Sequence, residues 1–349
     1  MNKNNKILEV KNLTISFHTF VGEVQAVRDV GFHVNEGEVL AIVGESGSGK
    51  SVSTQAILGL TPKPAGVIKS GEIIFEGKDL LKLNDNEFSK IRGNKITTIF
   101  QDPMTSLNPT MKIGSQIREI IHQHNNVTKS KSYEKTIELL KLTGITDPHI
   151  RIGQYPHQFS GGMLQRAMIA MAMANSPKVL IADEPTTALD VTIQAQIFNL
   201  FRKLSKEFNT SIILITHDLG VVASIAHRVV VLYGGKVIEQ GETDQIYYNP
   251  RHPYTKGLLS AMPSLAIEGQ NRLKTIDGTP PFLLNVPKGC TFAKRCEYAM
   301  EICVQREPDT YAFDEGSVSC WLYHSQAKDQ LKNFQSKETE MYGKSSSYS

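Results

Sequence analysis

Cysteine, long apolar runs and excess charge are all scarce in this sequence of 349 residues. Its longest apolar stretches, such as residues 167–174 and 211–215, are far shorter than the roughly 20 residues of a membrane-spanning helix. Residues 1–6 lead into a strand pattern rather than an apolar signal core, which predicts a protein made and kept in the cytosol. The formal net charge is only +3 without long basic blocks, so the composition does not favour nucleic acid as a partner.

The pattern of apolar residues predicts an α/β protein of two or three structural units. Alternation over residues 7–34 is typical of antiparallel strands, whereas the near-continuous apolar runs at 39–43, 179–182 and 211–215 are typical of buried parallel strands. Between residues 102 and 158 the apolar spacing becomes helical, which predicts a helical insertion.

Residues 44–51, Gly-Glu-Ser-Gly-Ser-Gly-Lys-Ser, have the sequence of a phosphate-binding loop. The segment follows a predicted buried strand and precedes a predicted helix, so its backbone N–H groups and the helix N-terminus would face an anion. Lys50 would reach the β- and γ-phosphates, and the Ser51 hydroxyl would bind Mg²⁺. A chance match in a glycine-rich turn is the alternative, and the strand and helix on either side argue against it.

Polar residues end three of the predicted buried strands. Gln101 follows the run at 96–100, Asp183 and Glu184 follow the run at 179–182, and His217 follows the run at 211–215. Ligands of parallel sheets bind beyond the carboxyl ends of the strands, so these side chains are predicted to meet the phosphate-binding loop. Any one of them alone has a structural explanation as a strand-end cap or a surface group.

Two aromatic residues, Phe17 and Phe20, precede the loop at the end of the first predicted strand. Either ring would suit stacking on an adenine, and an ordinary buried strand aromatic is the alternative for both.

These motifs together resemble the ATP-binding-cassette (ABC) family, and the resemblance covers residues 7–240. Residues Ser160-Gly161-Gly162 match the family's signature motif. The residues on either side, Phe159 and Met163, depart from its commonest form, in which the family usually has Leu and Gln. The family's cofactor-binding and catalytic positions match Gly44, Ser46, Gly47, Gly49, Lys50, Ser51, Gln101, Ser160-Gly161-Gly162, Asp183-Glu184, Ala188-Leu189-Asp190 and His217.

The resemblance implies an ATPase cassette with a mixed sheet core, an antiparallel β subdomain and a helical subdomain. Its residue roles would be metal binding by Ser51, Gln101 and Asp183, orientation or deprotonation of the attacking water by Glu184, and γ-phosphate contact by His217. The family's signature serine, matched by Ser160, acts on the ATP of an opposing cassette, so one chain alone is expected to hydrolyse ATP poorly.

Residues 102–109, 251–259 and the cysteine-bearing segment further resemble the oligopeptide/dipeptide permease ATPases, a subfamily that also serves nickel and metal-chelate import. It implies a second, non-identical ATPase subunit, two transmembrane permease subunits, an extracellular substrate-binding protein and a position on the cytoplasmic face of the membrane. The expected organisation is a cassette at 1–249, with its helical subdomain at 102–176, a cysteine-containing domain at 250–324 and a disordered tail at 325–349.

Two further function classes compete with import. A soluble ABC ATPase that acts on ribosomes or DNA would share every catalytic motif, but such proteins commonly have two cassettes or a long coiled coil, and this sequence has neither. A regulatory protein that binds ATP without turnover would be expected to lack Glu184 or His217.

All four cysteines of the chain lie in one short segment, at Cys290, Cys296, Cys303 and Cys320. Buried free thiols and two disulfides are the structural alternatives, and a reducing cytosol disfavours the disulfides. Four thiolates suit a tetrahedral Zn²⁺ site or a [4Fe–4S] cluster, and the wide, uneven spacing favours the cluster. The subfamily resemblance also implies an iron–sulfur cluster, although Lys294 replaces a proline often found there. We expect the group to be structural.

Overall fold

The computed structural model describes residues 5–187, 189–262, 276–313 and 316–342. Two sheets form its framework. The strands are β1 Lys6–Thr19, β2 Gly22–Asn35, β3 Val39–Val43, β4 Gly66–Phe75, β5 Lys78–Asp79, β6 Ile96–Ile99, β7 Val179–Asp183, β8 Ser211–Ile215, β9 Arg228–Tyr233, β10 Lys236–Glu242, β11 Thr310–Phe313 and β12 Gly316–Ser319.

Helices cover the larger sheet and connect its strands. They are α1 Lys50–Ile57, α2 Asp85–Ser89, α3 Pro103–Ser106, α4 Ile113–His124, α5 Lys129–Leu142, α6 Pro148–Arg151, α7 Gly161–Ala172, α8 Val191–Phe208, α9 Leu219–Ile225, α10 Thr243–Tyr248, α11 Pro253–Ser260, α12 Glu301–Gln305 and α13 Lys328–Tyr342. Among the described residues no helix is both long and apolar enough to span a bilayer.

The larger sheet has eight strands in the order β11-β12-β10-β9-β3-β8-β7-β6. The five strands from β9 to β6 are mutually parallel, and β10, β12 and β11 extend the sheet in antiparallel fashion. Every residue of β3 and β8 is buried, as expected for central strands covered on both faces. The carboxyl ends of β3, β6, β7 and β8 therefore open at one edge of the sheet.

The smaller sheet is antiparallel, with the order β2-β1-β4-β5. Its apolar face packs with α1 and one face of the larger sheet in a single core cluster. The helices α4, α5, α7 and α8 contribute to a second cluster against the opposite face. The predicted α/β cassette fold, with antiparallel and helical subdomains, is confirmed.

The C-terminal region adds two strands to the sheet and a separate small cluster around Val318, Cys320, Leu322 and Phe334. The predicted disorder from residue 325 is wrong over the described part of the tail, where helix α13 forms and buries the Phe334 ring. The position of Ala188 and the last residues of the predicted tail, 343–349, lie outside the described residues.

Candidate nucleotide-binding and hydrolysis site

The predicted phosphate-binding loop joins the end of β3 to the start of α1 and contacts the backbone of neighbouring strands. Gly44 and Gly49 have φ angles of +150° and +98°. A Cβ atom would lie 2.2 Å from the Leu232 carbonyl oxygen at Gly44, and 2.5 Å from the Ala26 carbonyl oxygen at Gly49. Only glycine fits at these two positions, so the loop is held between β9 and β2.

Lys50, the first residue of α1, lies inside the loop. Its Nζ donates to the carbonyl oxygens of Gly44 at 2.7 Å and Glu45 at 3.0 Å. Burial lowers the pKa of the Lys50 ammonium, and the carboxylates of Glu184 and Asp183 act in the opposite direction. The negative charge of a phosphate would favour the ammonium further, as a phosphate-binding lysine requires.

Ser51 and Asp183 meet beside Lys50, where the Ser51 hydroxyl donates to Asp183 Oδ1 at 3.0 Å. Burial raises the pKa of Asp183, while the hydrogen bond from Ser51 lowers it. A hydroxyl and a carboxylate are hard oxygen ligands that fit Mg²⁺. In the described part of the chain, no group of three or more His, Cys, Asp or Glu side chains is placed to hold a metal ion.

Three side chains hold the carboxylate of Glu184. The Gln101 amide donates to its Oε2 at 2.9 Å, the Thr187 hydroxyl donates to Oε2 at 3.1 Å, and His217 Nδ1 lies 3.4 Å from Oε1. A cleft of about 440 Å³ is lined by Ser46, Gly47, Ser48, Gly49, Lys50, Ser51, Val52, Gln101, Glu184 and His217. The structure thus brings the predicted strand-end residues to the phosphate-binding loop.

Thr187 and the ion pair between Glu45 and Arg295 were not singled out from the sequence. Thr187 orients the Glu184 carboxylate, and its only sequence signal is a hydroxyl residue three positions after Glu184. The Glu45 carboxylate accepts both guanidinium Nη atoms of Arg295, which lies far along the chain in the cysteine-bearing segment. No local pattern indicates that pair.

The signature residues and Asp190 form a surface away from the cleft. Exposed Ser160 caps α7 by accepting a hydrogen bond from the Met163 N–H, and exposed Asp190 caps α8 through the Ile193 N–H at 2.9 Å. A Cβ at Gly162 would lie 3.0 Å from the Ile193 side chain, and one at Gly161 3.7 Å from that of Leu189. These segments are therefore neighbours, and none of them lines the cleft of its own chain.

Neither candidate adenine-stacking ring lines the cleft. Phe17 is half-buried against the antiparallel-sheet core, in register with Gly66 on β4. Phe20 is fully exposed beyond the end of β1. The structure therefore does not place Phe17 in contact with the phosphate-binding residues.

The four cysteines are free thiols, and two of them, Cys303 and Cys320, are buried. Burial raises the pKa of Cys290 to about 11 and that of Cys296 to about 12, and the charge of Cys303 adds to both shifts. Burial and the charges of the other three cysteines also raise the pKa of Cys320. The thiols are thus neighbours, but they are not among any described group arranged to hold a single metal ion.

Comparison with known families agrees with this geometry. Residues 27–187 match the ABC transporter model, and residues 238–303 match the C-terminal region of oligopeptide/dipeptide transporters. The chain is 57% identical to the oligopeptide transport ATP-binding protein OppD of Bacillus subtilis over 92% of this chain and 90% of that protein. It is 54% identical to the dipeptide transport ATP-binding protein DppD of Lactococcus lactis, over 87% of this chain and 86% of that one.

Solved structures show the same cassette. A dimeric ATP-binding cassette in a post-hydrolysis state, bound to ADP and Pi, superposes with a TM-score of 0.61 at 28% identity. The match covers 68% of this chain and 98% of that structure. With its nucleotide cleft, both family matches and these relatives, the chain belongs to the ABC transporter ATP-binding proteins of the oligopeptide/dipeptide transport family.

Proposed function

We propose that this chain hydrolyses ATP to power the uptake of oligopeptides or dipeptides through partner membrane subunits. The main support for this proposal is the position of the Glu184 carboxylate. Gln101, Thr187 and His217 hold it in the cleft beside the phosphate-binding loop that contains Lys50. A carboxylate fixed beside a phosphate-binding loop is placed to handle the attacking water.

Phosphoryl transfer needs charge neutralisation and an aligned nucleophile more than covalent chemistry. Lys50 neutralises the β- and γ-phosphates, and Ser51 and Asp183 would hold Mg²⁺, which supplies further positive charge when bound. Glu184 accepts a hydrogen bond from the water and takes its proton as the bond to phosphorus forms. His217 donates to the γ-phosphate, where negative charge accumulates. Gln101, which donates a hydrogen bond to Glu184, would contact both Mg²⁺ and the attacking water.

The partners follow from the family and from the surface of this chain. Ser160, Gly161 and Asp190 are exposed, Gly162 is partly exposed, and none of them lines the cleft of its own chain, which supports a role on the nucleotide of an opposing cassette. The family resemblance implies that this second cassette is a non-identical subunit. Two transmembrane permease subunits and an extracellular substrate-binding protein would complete the importer. The chain would then lie on the cytoplasmic face of the membrane.

Peptides are favoured as cargo because the named relatives at 57% and 54% identity are oligopeptide and dipeptide transport proteins. Nickel or a metal chelate is the alternative cargo, and ribosomes or DNA would be the partners of a soluble ABC ATPase. Reconstitution of the chain with its permease subunits and binding protein in proteoliposomes separates these functions. We expect uptake of a labelled tripeptide and peptide-stimulated ATP hydrolysis, with no uptake of ⁶³Ni²⁺. Stimulation by ribosomes or DNA alone would contradict the proposal.

We also propose that Cys290, Cys296, Cys303 and Cys320 hold a structural [4Fe–4S] cluster. Backbone N–H groups donate to the sulfur atoms, as in the bond of 3.4 Å from the Met300 N–H to Cys303 Sγ, and such bonds are a usual feature of cluster ligation. The wide, uneven spacing of the four cysteines in the sequence favours the larger cluster over a zinc site, and no described group of three or more His, Cys, Asp or Glu side chains is arranged to hold a metal ion.

Anaerobic purification tests this cofactor. We expect brown protein that absorbs broadly near about 400 nm, in the thiolate-to-iron charge-transfer region, with equal amounts of iron and sulfide. Colourless protein with stoichiometric zinc would assign the thiols to a zinc site, and metal-free protein with four titratable thiols would leave them as structural cysteines.

A further inference from the structure

A partly buried ion pair joins the phosphate-binding loop to the cysteine segment, defined here as residues 290–303. Arg295 Nη1 donates to Glu45 Oε2 at 2.7 Å, and Nη2 donates to Oε1 at 3.0 Å. The Arg295 side chain is only 7% exposed. The Glu45 N–H also donates to the Tyr254 hydroxyl at 2.9 Å, so both the backbone and the carboxylate of Glu45 are held from the C-terminal region.

The guanidinium is itself fixed on its other sides. Arg295 Nε donates to the Asp277 carbonyl at 2.9 Å, Nη2 to the Ile276 carbonyl at 3.1 Å, and Nη1 to the Tyr233 hydroxyl at 3.1 Å. Arg295 directly precedes Cys296, and its N–H bonds the Phe292 carbonyl at 2.9 Å in the same turn. The position of the guanidinium therefore depends on the folded state of the cysteine segment.

Glu45 has a second role, because its carbonyl oxygen accepts a hydrogen bond from Lys50 Nζ at 3.0 Å. A displacement of Glu45 therefore moves a group that faces the phosphate-binding ammonium. The residue does not line the cleft. Arg295 and Glu45 would therefore affect a nucleotide only through the shape of the loop, and a loop that is already ordered loses less conformational entropy when a ligand binds.

We propose that Arg295 is a positioning residue for ATP binding, which holds the phosphate-binding loop through Glu45 and so links nucleotide affinity to the order of the cysteine segment. The inference rests on the proposed function only in taking ATP as the nucleotide. Thermodynamic linkage then requires the reverse effect, in which bound ATP stabilises the cysteine segment by the same factor.

The affinity of the full-length chain for a fluorescent ATP analogue tests the pair. We expect Arg295→Gln and Glu45→Gln each to weaken binding by about tenfold, within the usual range of coupling between sites. The double variant should bind like either single variant, because one pair is lost in all three. Lys294→Gln, which removes a charge from the exposed neighbouring residue, should bind like the parent.

Glu45→Gln is the decisive variant. If the pair had no positioning role, loss of a negative charge near the phosphates would tighten ATP binding. Tighter or unchanged binding by Glu45→Gln, or additive losses in the double variant, would overturn the proposal. A parent chain that fails to bind the analogue would overturn the proposed nucleotide function as well, which distinguishes the two failures.

Backbone hydrogen exchange of residues 290–303, measured by mass spectrometry, does not depend on ATP turnover. It also remains informative if the Arg295→Gln variant fails to fold. We expect Glu45→Gln to speed exchange in this segment and ATP to slow it in the parent. Exchange that responds to neither the substitution nor the nucleotide would contradict the linkage.

Discussion

Glu184 has a backbone conformation that is unfavourable for its side chain. Its φ angle is +45°, in the left-handed region, which costs on the order of 1–3 kcal/mol in a non-glycine residue. The carboxylate is nonetheless held by Gln101, Thr187 and His217. Strain of this kind persists where the surroundings fix the residue, and it is common at functional sites, which agrees with the role proposed for Glu184.

We predict that Glu184→Gln keeps ATP affinity and loses at least about 100-fold in hydrolysis rate, the usual contribution of a positioned base. The amide preserves the shape of the side chain but cannot take the water's proton. Equilibrium binding and single-turnover hydrolysis measure the two effects. Lys50→Ala is the matched comparison, because it removes the charge that faces the phosphates and should weaken binding itself. Hydrolysis at the parental rate in Glu184→Gln would exclude the assigned role.

His252 gives the chain a pH-dependent stability. The imidazole is fully buried at the start of α11, and its Nδ1 accepts the Tyr254 N–H at 3.0 Å. Burial lowers the pKa of His252 from 6.5 to about 3. The unfolded chain therefore binds this proton more readily, so the contribution of neutral His252 is complete above about pH 6.5 and falls as the pH decreases towards 3.

We predict that His252 lowers the free energy of unfolding by about 2 kcal/mol as the pH falls from 7.5 to 5. His252→Asn keeps an acceptor for the Tyr254 N–H but cannot be protonated. The free energy of unfolding of this variant should therefore fall by about 2 kcal/mol less than that of the parent between pH 7.5 and pH 5. Urea unfolding of both proteins at each pH makes the comparison, in which contributions of other titrating groups cancel. Parallel pH profiles would show that His252 is not the cause.

At the scale of elements, helix α13 is the clearest difference between sequence and structure. Its sequence, from Lys328 to Tyr342, is mostly charged and polar, and this composition favours disorder. Among the described side chains of α13, Phe334 is buried in the C-terminal cluster and Leu331 packs against it. Phe334 packs edge-on to Tyr298 at 5.1 Å between ring centroids, and Lys256 Nζ lies 4.5 Å from the Phe334 centroid. Tertiary contacts of individual side chains cannot be predicted from the spacing of apolar residues.

We predict that Phe334→Ala releases α13 from the cysteine-containing region, because truncation of a buried phenylalanine costs about 3–5 kcal/mol. Limited proteolysis should then cleave between residues 324 and 335 at least tenfold faster than in the parent. Lys332→Ala, at an exposed position of the same helix, serves as control and should be cleaved at the parental rate. Equal cleavage of both variants would contradict the docking role of Phe334.

At the scale of the whole molecule, local sequence patterns predicted the cassette and its cleft. They could not predict contacts between residues that are far apart in the sequence. The phosphate-binding loop and the strand-end residues were predictable because each lies in a short segment with a distinct period. The Glu45–Arg295 pair joins residues 250 positions apart, and no local pattern specifies which arginine approaches the loop. The roles of Ser160 and Asp190 stay predictions, because one chain contains only half of the closed site that they are expected to form.

The exposed position of Ser160 leads to a prediction about how two non-identical cassettes hydrolyse ATP together. Ser160 is exposed at the start of α7, adjacent to the segment that carries Leu189 and Ile193. We predict that Ser160→Arg leaves the chain's own ATP affinity unchanged but blocks closure over the nucleotide held by the partner's phosphate loop. Lys50→Ala should instead impair the chain's own site.

Photolabelling of the assembled importer with an azido-ATP analogue, together with its ATP hydrolysis rate, distinguishes the two effects. Ser160→Arg should reduce trapped nucleotide on the partner subunit at least tenfold, and Lys50→Ala should reduce it on this chain. Ser160→Ala, which also loses the cap to the Met163 N–H, controls for damage to α7. Trapping lost on the same chain in both variants would mean that Ser160 acts within its own subunit. A fully active importer with two copies of this chain and no second cassette would refute the heteromeric arrangement, because both nucleotides would then be served by identical surfaces.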